Sequence, residues 1–172
     1  PTPLPTLMAI FQILEHVMGG LEGKHLLEYG AGVDARASVV AANLHGMRAT
    51  AVEIEADQSA EAEQTLQNAA QEGLAGGITL QKETDALDVS WSDVDVVYLF
   101  GNPARSDLDK FLEAPPGAIF AVLNPSWAVR YTGGLNIPEY YLELYRREPE
   151  ASSDTLPDAV YELASAHSGW TA

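Results

Sequence analysis

The chain has 172 residues, no cysteine, and 25 acidic against 9 basic side chains, for a formal net charge of -16. Its length suits one compact domain, and the lack of cysteine excludes disulfide frameworks, thiolate zinc sites and cysteine nucleophiles. The charge opposes nucleic-acid binding, which depends on lysine and arginine contacts to phosphate, and favours a partner of basic character. Acidity also keeps proteins in solution whatever their function. We expect a cytoplasmic protein without a membrane span, since no run of about 18 apolar residues occurs.

The apolar pattern predicts an N-terminal helix followed by alternating strands and helices. Residues 6–18 have apolar side chains at helical spacing and end at Gly19, so residues 1–22 form a helical extension outside the main sheet. Short apolar runs of strand length follow, at 24–29, 48–55, 78–83, 93–100 and 117–125. Helical runs separate several of them, at 35–46, 56–73 and 106–114. Such alternation indicates a parallel sheet with helices on both faces.

The end of the chain breaks this alternation. Residues 140–148 and 159–166 are two strand-like runs joined by a polar loop that is too short for a helix. The last two strands should therefore pair antiparallel. The prediction is a single α/β domain, residues 1–172, with a sheet of about seven strands.

Gly30 and Gly32 follow the first predicted strand, with Glu28 two positions ahead of them. In an open parallel sheet, ligands bind beyond the carboxyl ends of the strands, where this turn lies. Glycine lets the chain turn sharply and lets a ligand lie on the backbone, while the next helix presents its amides. The pattern therefore indicates a ligand site, although a tight turn alone would also explain it.

Acids stand at the ends of the next two predicted strands. Glu53 ends the second strand, where a carboxylate can accept both hydroxyls of an adenosine ribose. Asp85 follows the third strand, where a carboxylate can accept from an adenine amine. Each alone could be a solvated loop charge, and their shared position at the strand ends is what indicates a nucleotide-like ligand.

The charge of the glycine turn separates two cofactor classes. Residues 30–35 also satisfy the G-x-G-x-x-G/A dinucleotide pattern, with Ala35 in the third position. A pyrophosphate would be repelled by Glu28 and by Asp34 within the turn. S-adenosylmethionine has a sulfonium and an ammonium group, which these acids would attract.

Three stretches resemble the successive motifs of class I S-adenosylmethionine-dependent methyltransferases: LLEYGAGVDARAS, AVEIEADQSAEAEQ and ITLQKETDALDVSWSDVDVVYLFGNP. The similarity runs from about Lys24 to Pro125, and the closing hairpin also matches the family's last two strands. The resemblance implies a Rossmann-like methyltransferase fold with S-adenosylmethionine as cofactor. That fold has a seven-stranded, mostly parallel sheet, an antiparallel C-terminal hairpin and helices on both faces.

The resemblance also implies a set of cofactor-binding residues. The family's E-x-G-x-G loop holds the methionine moiety, the acid after the second strand holds the ribose, and the next acid meets the adenine edge. The residues implied are Glu28, Gly30 and Gly32 for methionine, Glu53 for ribose, and Asp85 and Ala86 for adenine, with Ala31 and Ile54 as further cofactor-binding residues. The segment YLFGNP lies where the fourth strand opens onto the transferred methyl, which implies that Phe100, Gly101 and Asn102 line the site.

A narrower resemblance rests on VVYLFGNPARSDLDKFLE and PTPLPTLMAIFQIL. These stretches are similar to small lysine methyltransferases of the archaeal broad-specificity and mitochondrial ATP-synthase c-subunit types. One departure stands out, because members of that group commonly read G-x-G-x-G-R. Here an extra residue precedes Ala35, which replaces the last glycine.

Methyl transfer from a sulfonium needs alignment of the nucleophile and does not require a general base. No catalytic residue is assigned. A lysine must arrive neutral, which a desolvated aromatic channel promotes, and Tyr98, Phe100, Asn102, Trp127 and Tyr131 are the candidate lining residues. Aromatic residues near strand ends also serve as core. Asn102 and Pro103 lack the second proline and aromatic of the N-P-P motif and are typical of a helix start.

The remaining polar and aromatic features carry less chemistry. The histidines, His16, His25, His45 and His167, have no spacing suited to a metal, so we predict no metal site. Trp91 is expected near the adenine pocket or in the core. Arg130, Arg146 and Arg147 lie where substrate elements of such domains often occur, with solvated strand charges as the alternative.

The predicted function is methyl transfer from S-adenosylmethionine to a nitrogen nucleophile, of a protein lysine or a small amine. One alternative is a catalytically inactive methyltransferase-like protein that binds the cofactor or a partner. An NAD-dependent oxidoreductase is less favoured, because of Glu28, the antiparallel finish and the lack of a second domain. The sequence carries no signal for oligomeric state.

Overall fold

The computed structural model describes the backbone of residues 2–132, 135–149 and 160–167, with side chains in 2–124 and 142–149. Four helices and seven strands make up this part of the chain. The helices are α1 (Leu4–Met18), α2 (Arg36–His45), α3 (Ala56–Gln71) and α4 (Arg105–Phe111). The strands are β1 (His25–Tyr29), β2 (Arg48–Glu53), β3 (Ile78–Lys82), β4 (Val96–Phe100), β5 (Ile119–Thr132), β6 (Leu135–Arg147) and β7 (Val160–His167).

The strands form one sheet in the order β3-β2-β1-β4-β5-β6-β7. Pairing is parallel from β3 through to β5 and antiparallel for β5 with β6 and β6 with β7. This pairing confirms the predicted Rossmann-like α/β fold and the predicted antiparallel pairing of the last two strands. Strand order reverses at β1, which pairs with β2 on one side and β4 on the other, so β1 and β4 flank the switch point where ligands bind in such sheets.

Helices α1 and α2 cover one face of the sheet. Apolar side chains of α1 that include Leu7, Phe11 and Leu14 are fully buried in one cluster with Leu26 of β1 and Val96 of β4. The predicted extension is therefore a helix that supplies core, and it ends at Gly19 in a left-handed conformation (φ 69°), as the glycine stop predicts.

The other face is packed with aromatic residues. Trp91, Phe111 and Phe120 are fully buried there against Leu27 and Val97. Trp91 fills this core and also contacts the turn that follows Asp85, because its indole N–H donates to the carbonyl of Ala86 at 3.0 Å.

The predictions were least accurate for the fifth and sixth strands. The prediction for β5 ended at residue 125 and that for β6 began at residue 140, whereas the two strands reach Thr132 and Leu135. Cross-strand pairing extends them, with Tyr131 opposite Asn136 and a register shift between Ser126 and Arg130. Pairing of this kind depends on the partner strand, which a run of residues does not show by itself.

No described helix is long and apolar enough to cross a membrane.

Candidate functional site

Two adjoining cavities lie at the carboxyl ends of the central strands. The first, of about 250 Å³, is lined by the glycine turn after β1 and by Tyr98 and Phe100 of β4. The second, of about 160 Å³, is lined by Ile54 after β2 and by Asp85 and Ala86 after β3. Gly30 lines both of them. Together the cavities follow the strand ends from β4 to β3, the edge at which the sequence predicts the site.

Both glycines of the turn adopt left-handed backbone conformations, Gly30 with φ 74° and Gly32 with φ 65°. The amides of Gly30 and Ala31 donate to the carbonyl of Val52 at 3.0 and 2.8 Å, which holds the turn against the end of β2. A Cβ on Gly30 would meet nothing within 4 Å, so the requirement for glycine here comes from backbone conformation and from any ligand.

Ala35 occupies the position of the missing third glycine and also adopts a left-handed conformation, with φ 45° and ψ 43°. An alanine there costs about 1 kcal/mol or more. Its methyl group is fully buried in a cluster with Ala31, Ala51 and Leu66. The chain thus keeps the glycine-like turn despite the substitution.

Glu28 caps helix α2 from the neighbouring strand. Its carboxylate accepts from the amide of Ala37 at 3.2 Å, from the amide of Ser38 at 2.8 Å and from the Ser38 hydroxyl at 2.6 Å. The cap residue itself, Ala35, has no side-chain acceptor, so the strand supplies one. Burial raises the pKa of Glu28 to about 7, while the hydrogen bonds from Ser38 and Ala37 act in the opposite direction.

Glu53 is buried and joins the end of β2 to the glycine turn. One oxygen accepts from the amide of Gly32 at 2.7 Å, and the other accepts from the amide of Glu55 at 2.9 Å. A carboxylate oxygen can accept more than one hydrogen bond, so these contacts leave acceptor capacity for a ligand hydroxyl. Ile54 beside it is 56% exposed, so its side chain is accessible to a ligand in the second cavity.

The second cavity is shaped by Asp85, which accepts from the amide of Leu87 at 2.9 Å and so begins a short 3₁₀ turn at Ala86. Tyr29 lines the same cavity and donates to Asp107 of α4 at 2.8 Å. Burial and the hydrogen bond to Asp107 raise the pKa of Tyr29. The tyrosine therefore stays protonated and ties α4 to the end of β1.

The loop after β4 differs from the predicted helix start. Helix α4 begins at Arg105 with Ala104 as its cap residue, so Asn102 and Pro103 lie in the preceding loop and the prediction of Asn102 as a cap was wrong. Asp107 explains the shift, because its carboxylate accepts from the Ala104 amide at 2.7 Å and anchors the first turn there. Asn102 is exposed and Gly101 has φ 148°.

Three of the predicted substrate residues, Trp127, Arg130 and Tyr131, have side chains outside the part that the structure describes. Arg147 contacts the residue that follows α4, because its guanidinium donates to the carbonyl of Leu112 at 3.2 Å. Two of the described histidines have structural contacts, since His25 hydrogen-bonds the Thr50 hydroxyl at 2.7 Å and His45 hydrogen-bonds Glu15 at 2.7 Å, whereas His16 is exposed.

The structure adds residues that sequence reasoning missed. Thr2 lies over the first cavity, where its hydroxyl is 2.6 Å from that of Tyr98. Arg36 donates to the carbonyl of Thr2 at 3.1 Å and to the carboxylate of Asp34 at 2.7 Å. Asp34 therefore has a cationic partner already and does not act as a free acid of the turn. Thr2 and Tyr98 are 96 positions apart, and no local pattern signals their contact.

Neither a protein-family model nor a curated protein matches the sequence. Solved structures do match. An RNA methyltransferase from Salinibacter ruber in complex with S-adenosyl-L-homocysteine superposes with a TM-score of 0.63 at 23% identity, over 88% of this chain and 96% of that one. This chain has the methyltransferase fold.

Other solved structures match with lower TM-scores. A mutant of MtNAS in complex with S-adenosylmethionine gives a TM-score of 0.58 at 14% identity, over 83% of this chain and 62% of that one. Geranyl diphosphate methyltransferase in complex with SAM gives 0.56 at 16% identity, over 70% of this chain and 50% of that one. None of these three is described as a lysine methyltransferase, so the narrower resemblance stays a prediction.

Proposed function

We propose that this protein is an enzyme that binds S-adenosylmethionine and transfers its methyl group to a nitrogen nucleophile. One observation carries the proposal: Gly30 lines both of two adjoining cavities at the switch point of a methyltransferase-type sheet, and the same turn is hydrogen-bonded through the amide of Gly32 to the buried Glu53. The fold alone would support many functions, and the acids and glycines at this point narrow them.

The cofactor's parts match the order of groups along the strand ends. The methionine end would lie in the first cavity on Gly30, Ala31 and Gly32, with Glu28 beneath it. Glu53 would accept from the ribose hydroxyls. The adenine would lie in the second cavity against Ile54, Asp85 and Ala86, and Phe100 and Gly101 would flank the methyl group.

Charge supports a cationic cofactor over a dinucleotide. Glu28 is buried beside the turn, and a sulfonium or ammonium group in the first cavity would favour its ionised form. A pyrophosphate at the same place would have the opposite effect. The first turn of α2 is also occupied, because the amides of Ala37 and Ser38 already donate to Glu28, so they are not available to a phosphate.

The residues around the first cavity can align an acceptor without a dedicated base. In-line displacement from a sulfonium needs the nucleophile held opposite the departing sulfur. Tyr98 is buried and Phe100 is 38% exposed, so these side chains offer the acceptor one inner and one outer aromatic wall. An apolar wall also favours the neutral form of an amine, which is the form that can attack.

We propose a protein lysine or a small amine as the methyl acceptor. We also propose that this protein is located in the cytoplasm. The similarity to an RNA methyltransferase suggests RNA as a competing acceptor. The net charge of -16 argues against it, because RNA binding requires cationic contacts to phosphate. Five basic side chains of the described part already pair with carboxylates: Arg36, Arg48, Lys82, Arg105 and Lys110.

The test is formation of S-adenosylhomocysteine from S-adenosylmethionine with three acceptors supplied separately: a lysine-rich peptide, a polyamine and an RNA. The proposal expects turnover with the peptide or the polyamine and none with RNA. Turnover with RNA alone would overturn the acceptor but keep the reaction. Binding of the cofactor without turnover on any acceptor would favour a cofactor-binding protein without catalysis.

A further inference from the structure

A third cavity, of about 480 Å³, lies at the opposite end of the sheet from the candidate cofactor site. Lys24 precedes β1, Asp95 precedes β4 and residues 115–118 precede β5, so the cavity is at the amino ends of these parallel strands. The length of β1 separates it from the glycine turn. Its volume is within the range of small-molecule sites.

Two cations line this cavity, Lys24 and Arg146, and both are half-buried. Five of the other basic side chains that the structure describes pair with carboxylates, and Arg147 donates to backbone carbonyls. Within the described part of the chain, the side chains of Lys24 and Arg146 make neither kind of contact. In a chain with 25 acids, two half-buried cations on one cavity without a carboxylate in contact are unexpected.

Such an arrangement favours an anionic ligand. Partial burial weakens the hydration of both cations, and an anion bound between the cavity walls would compensate for that loss. Asp95 is the acid on the cavity wall, and one of its oxygens accepts from the amide of His25 at 2.8 Å. Two cations and one carboxylate leave one positive charge, which matches a singly charged anion.

The remaining walls are apolar. Val17 and Met18 come from the last turn of α1, Ile119 is buried at the start of β5, and Pro115 and Pro116 form the outer rim. The nearby backbone amides are engaged, since Gly117 donates to the carbonyl of Arg147 and Ala118 to that of Pro115. A ligand would therefore be recognised by the two side-chain cations and by apolar contact.

We propose that this cavity binds a small amphiphilic anion, an apolar body that carries one carboxylate group. Lys24 and Arg146 hold the anionic group, and Met18 and Ile119 contact the apolar body. The site is separate from the proposed methyl-transfer site, and its failure would leave that function untouched.

The experiment is an NMR titration of the full chain with hexanoate and, separately, with inorganic phosphate. The proposal expects saturable shifts of the Lys24, Gly117 and Arg146 amides with hexanoate. Lys24→Gln and Arg146→Gln should each weaken binding roughly tenfold or more, the size of one lost charge-assisted hydrogen bond. Tighter binding of hexanoate than of phosphate would support the apolar contacts.

Arg48→Gln is the matched control, because Arg48 also begins a strand but is exposed and paired with Asp93. It should leave hexanoate binding unchanged. A second variant, Lys24→Glu, should abolish binding because it reverses one of the two charges, and thermal unfolding checks that each variant is folded. Shifts that do not saturate, or equal weakening in Arg48→Gln, would overturn the site.

Discussion

The amide of Gly32 donates to the carboxylate of Glu53 at 2.7 Å. This contact joins the glycine turn after β1 to the last residue of β2, 21 positions further along the chain. The acid that would hold the ribose therefore also fixes the turn that would hold the methionine. Loss of either partner should disturb both parts of the proposed site.

Gly32→Ala should weaken cofactor binding more than it weakens the fold. A Cβ at Gly32 would meet only the side chain of Gln58 at 3.9 Å, so the fold loses about 1–2 kcal/mol from the left-handed backbone alone. The same methyl would enter the first cavity, where we expect the cofactor to approach the backbone. Urea unfolding and calorimetric titration with S-adenosylhomocysteine measure the two effects.

Gly73→Ala is the matched control for that variant. Gly73 has φ 74°, a Cβ there would meet nothing within 4 Å, and it lies beyond α3, away from both cavities. It should cost a similar free energy of unfolding and leave binding unchanged. An equal loss of affinity in the two variants would show that the loss comes from destabilisation.

Glu28→Gln should change how stability depends on pH. The pKa of Glu28 is raised from about 4.5 to about 7 in the folded protein. Its protonated form therefore contributes to the free energy of unfolding fully below pH 4.5, and this contribution is lost as pH rises through 7. The free energy of unfolding should fall by up to about 3 kcal/mol over that range. The difference in free energy of unfolding between wild type and Glu28→Gln should therefore shift in favour of the variant from pH 5 to pH 8. A difference that is constant with pH would contradict this assignment.

Cofactor binding should release a proton through Glu28. A cation in the first cavity stabilises the carboxylate, so the affinity for S-adenosylmethionine should rise as pH increases through about 7. Titrations in two buffers of different ionisation enthalpy should give different heats near that pH. Glu28→Gln should abolish the difference, and its persistence in the variant would assign the proton to another group.

Ala35→Gly should be nearly neutral. Relief of the left-handed backbone, worth about 1–2 kcal/mol, opposes the loss of a buried methyl and the extra freedom of glycine in the unfolded chain. The net change in free energy of unfolding should be below about 1 kcal/mol. Ala51→Gly is the control, because Ala51 is buried in the same cluster but lies in a strand. It should cost about 1–2 kcal/mol.

Thr2 and Tyr98 should be energetically coupled. Their hydroxyl oxygens are 2.6 Å apart and buried, so each of Thr2→Val and Tyr98→Phe removes the same hydrogen bond. The double variant should then cost less than the sum of the single variants, by about 0.5–3 kcal/mol in a double-mutant cycle. Additive costs would show that the N-terminal segment does not use this contact to cover the cavity.

The sequence predicted the alternation of strands and helices because apolar periods of strand and helix are local signals. It also placed Gly30, Gly32 and Glu53 at one edge, since the carboxyl ends of parallel strands meet there. The structure confirms where these three residues lie, and their roles in cofactor binding stay proposals.

Contacts between residues that are distant along the chain could not be predicted from the sequence. The charge of Glu28 was visible in the sequence, but the sequence did not show that its carboxylate also caps α2 through the amides of Ala37 and Ser38. That role depends on how the helix lies against the strand. The place of Thr2 over the first cavity depends likewise on the packing of α1.

The most direct test is calorimetric titration of S-adenosylmethionine and S-adenosylhomocysteine into the wild-type chain, Glu53→Ala and Glu55→Ala. Glu55 is the control, because it is an exposed acid two positions from Glu53. We expect micromolar binding of both ligands to the wild type and to Glu55→Ala, and binding to Glu53→Ala that is weaker by roughly tenfold or more. No heat and no thermal shift with either ligand would contradict the proposed cofactor and, with it, the proposed methyl transfer.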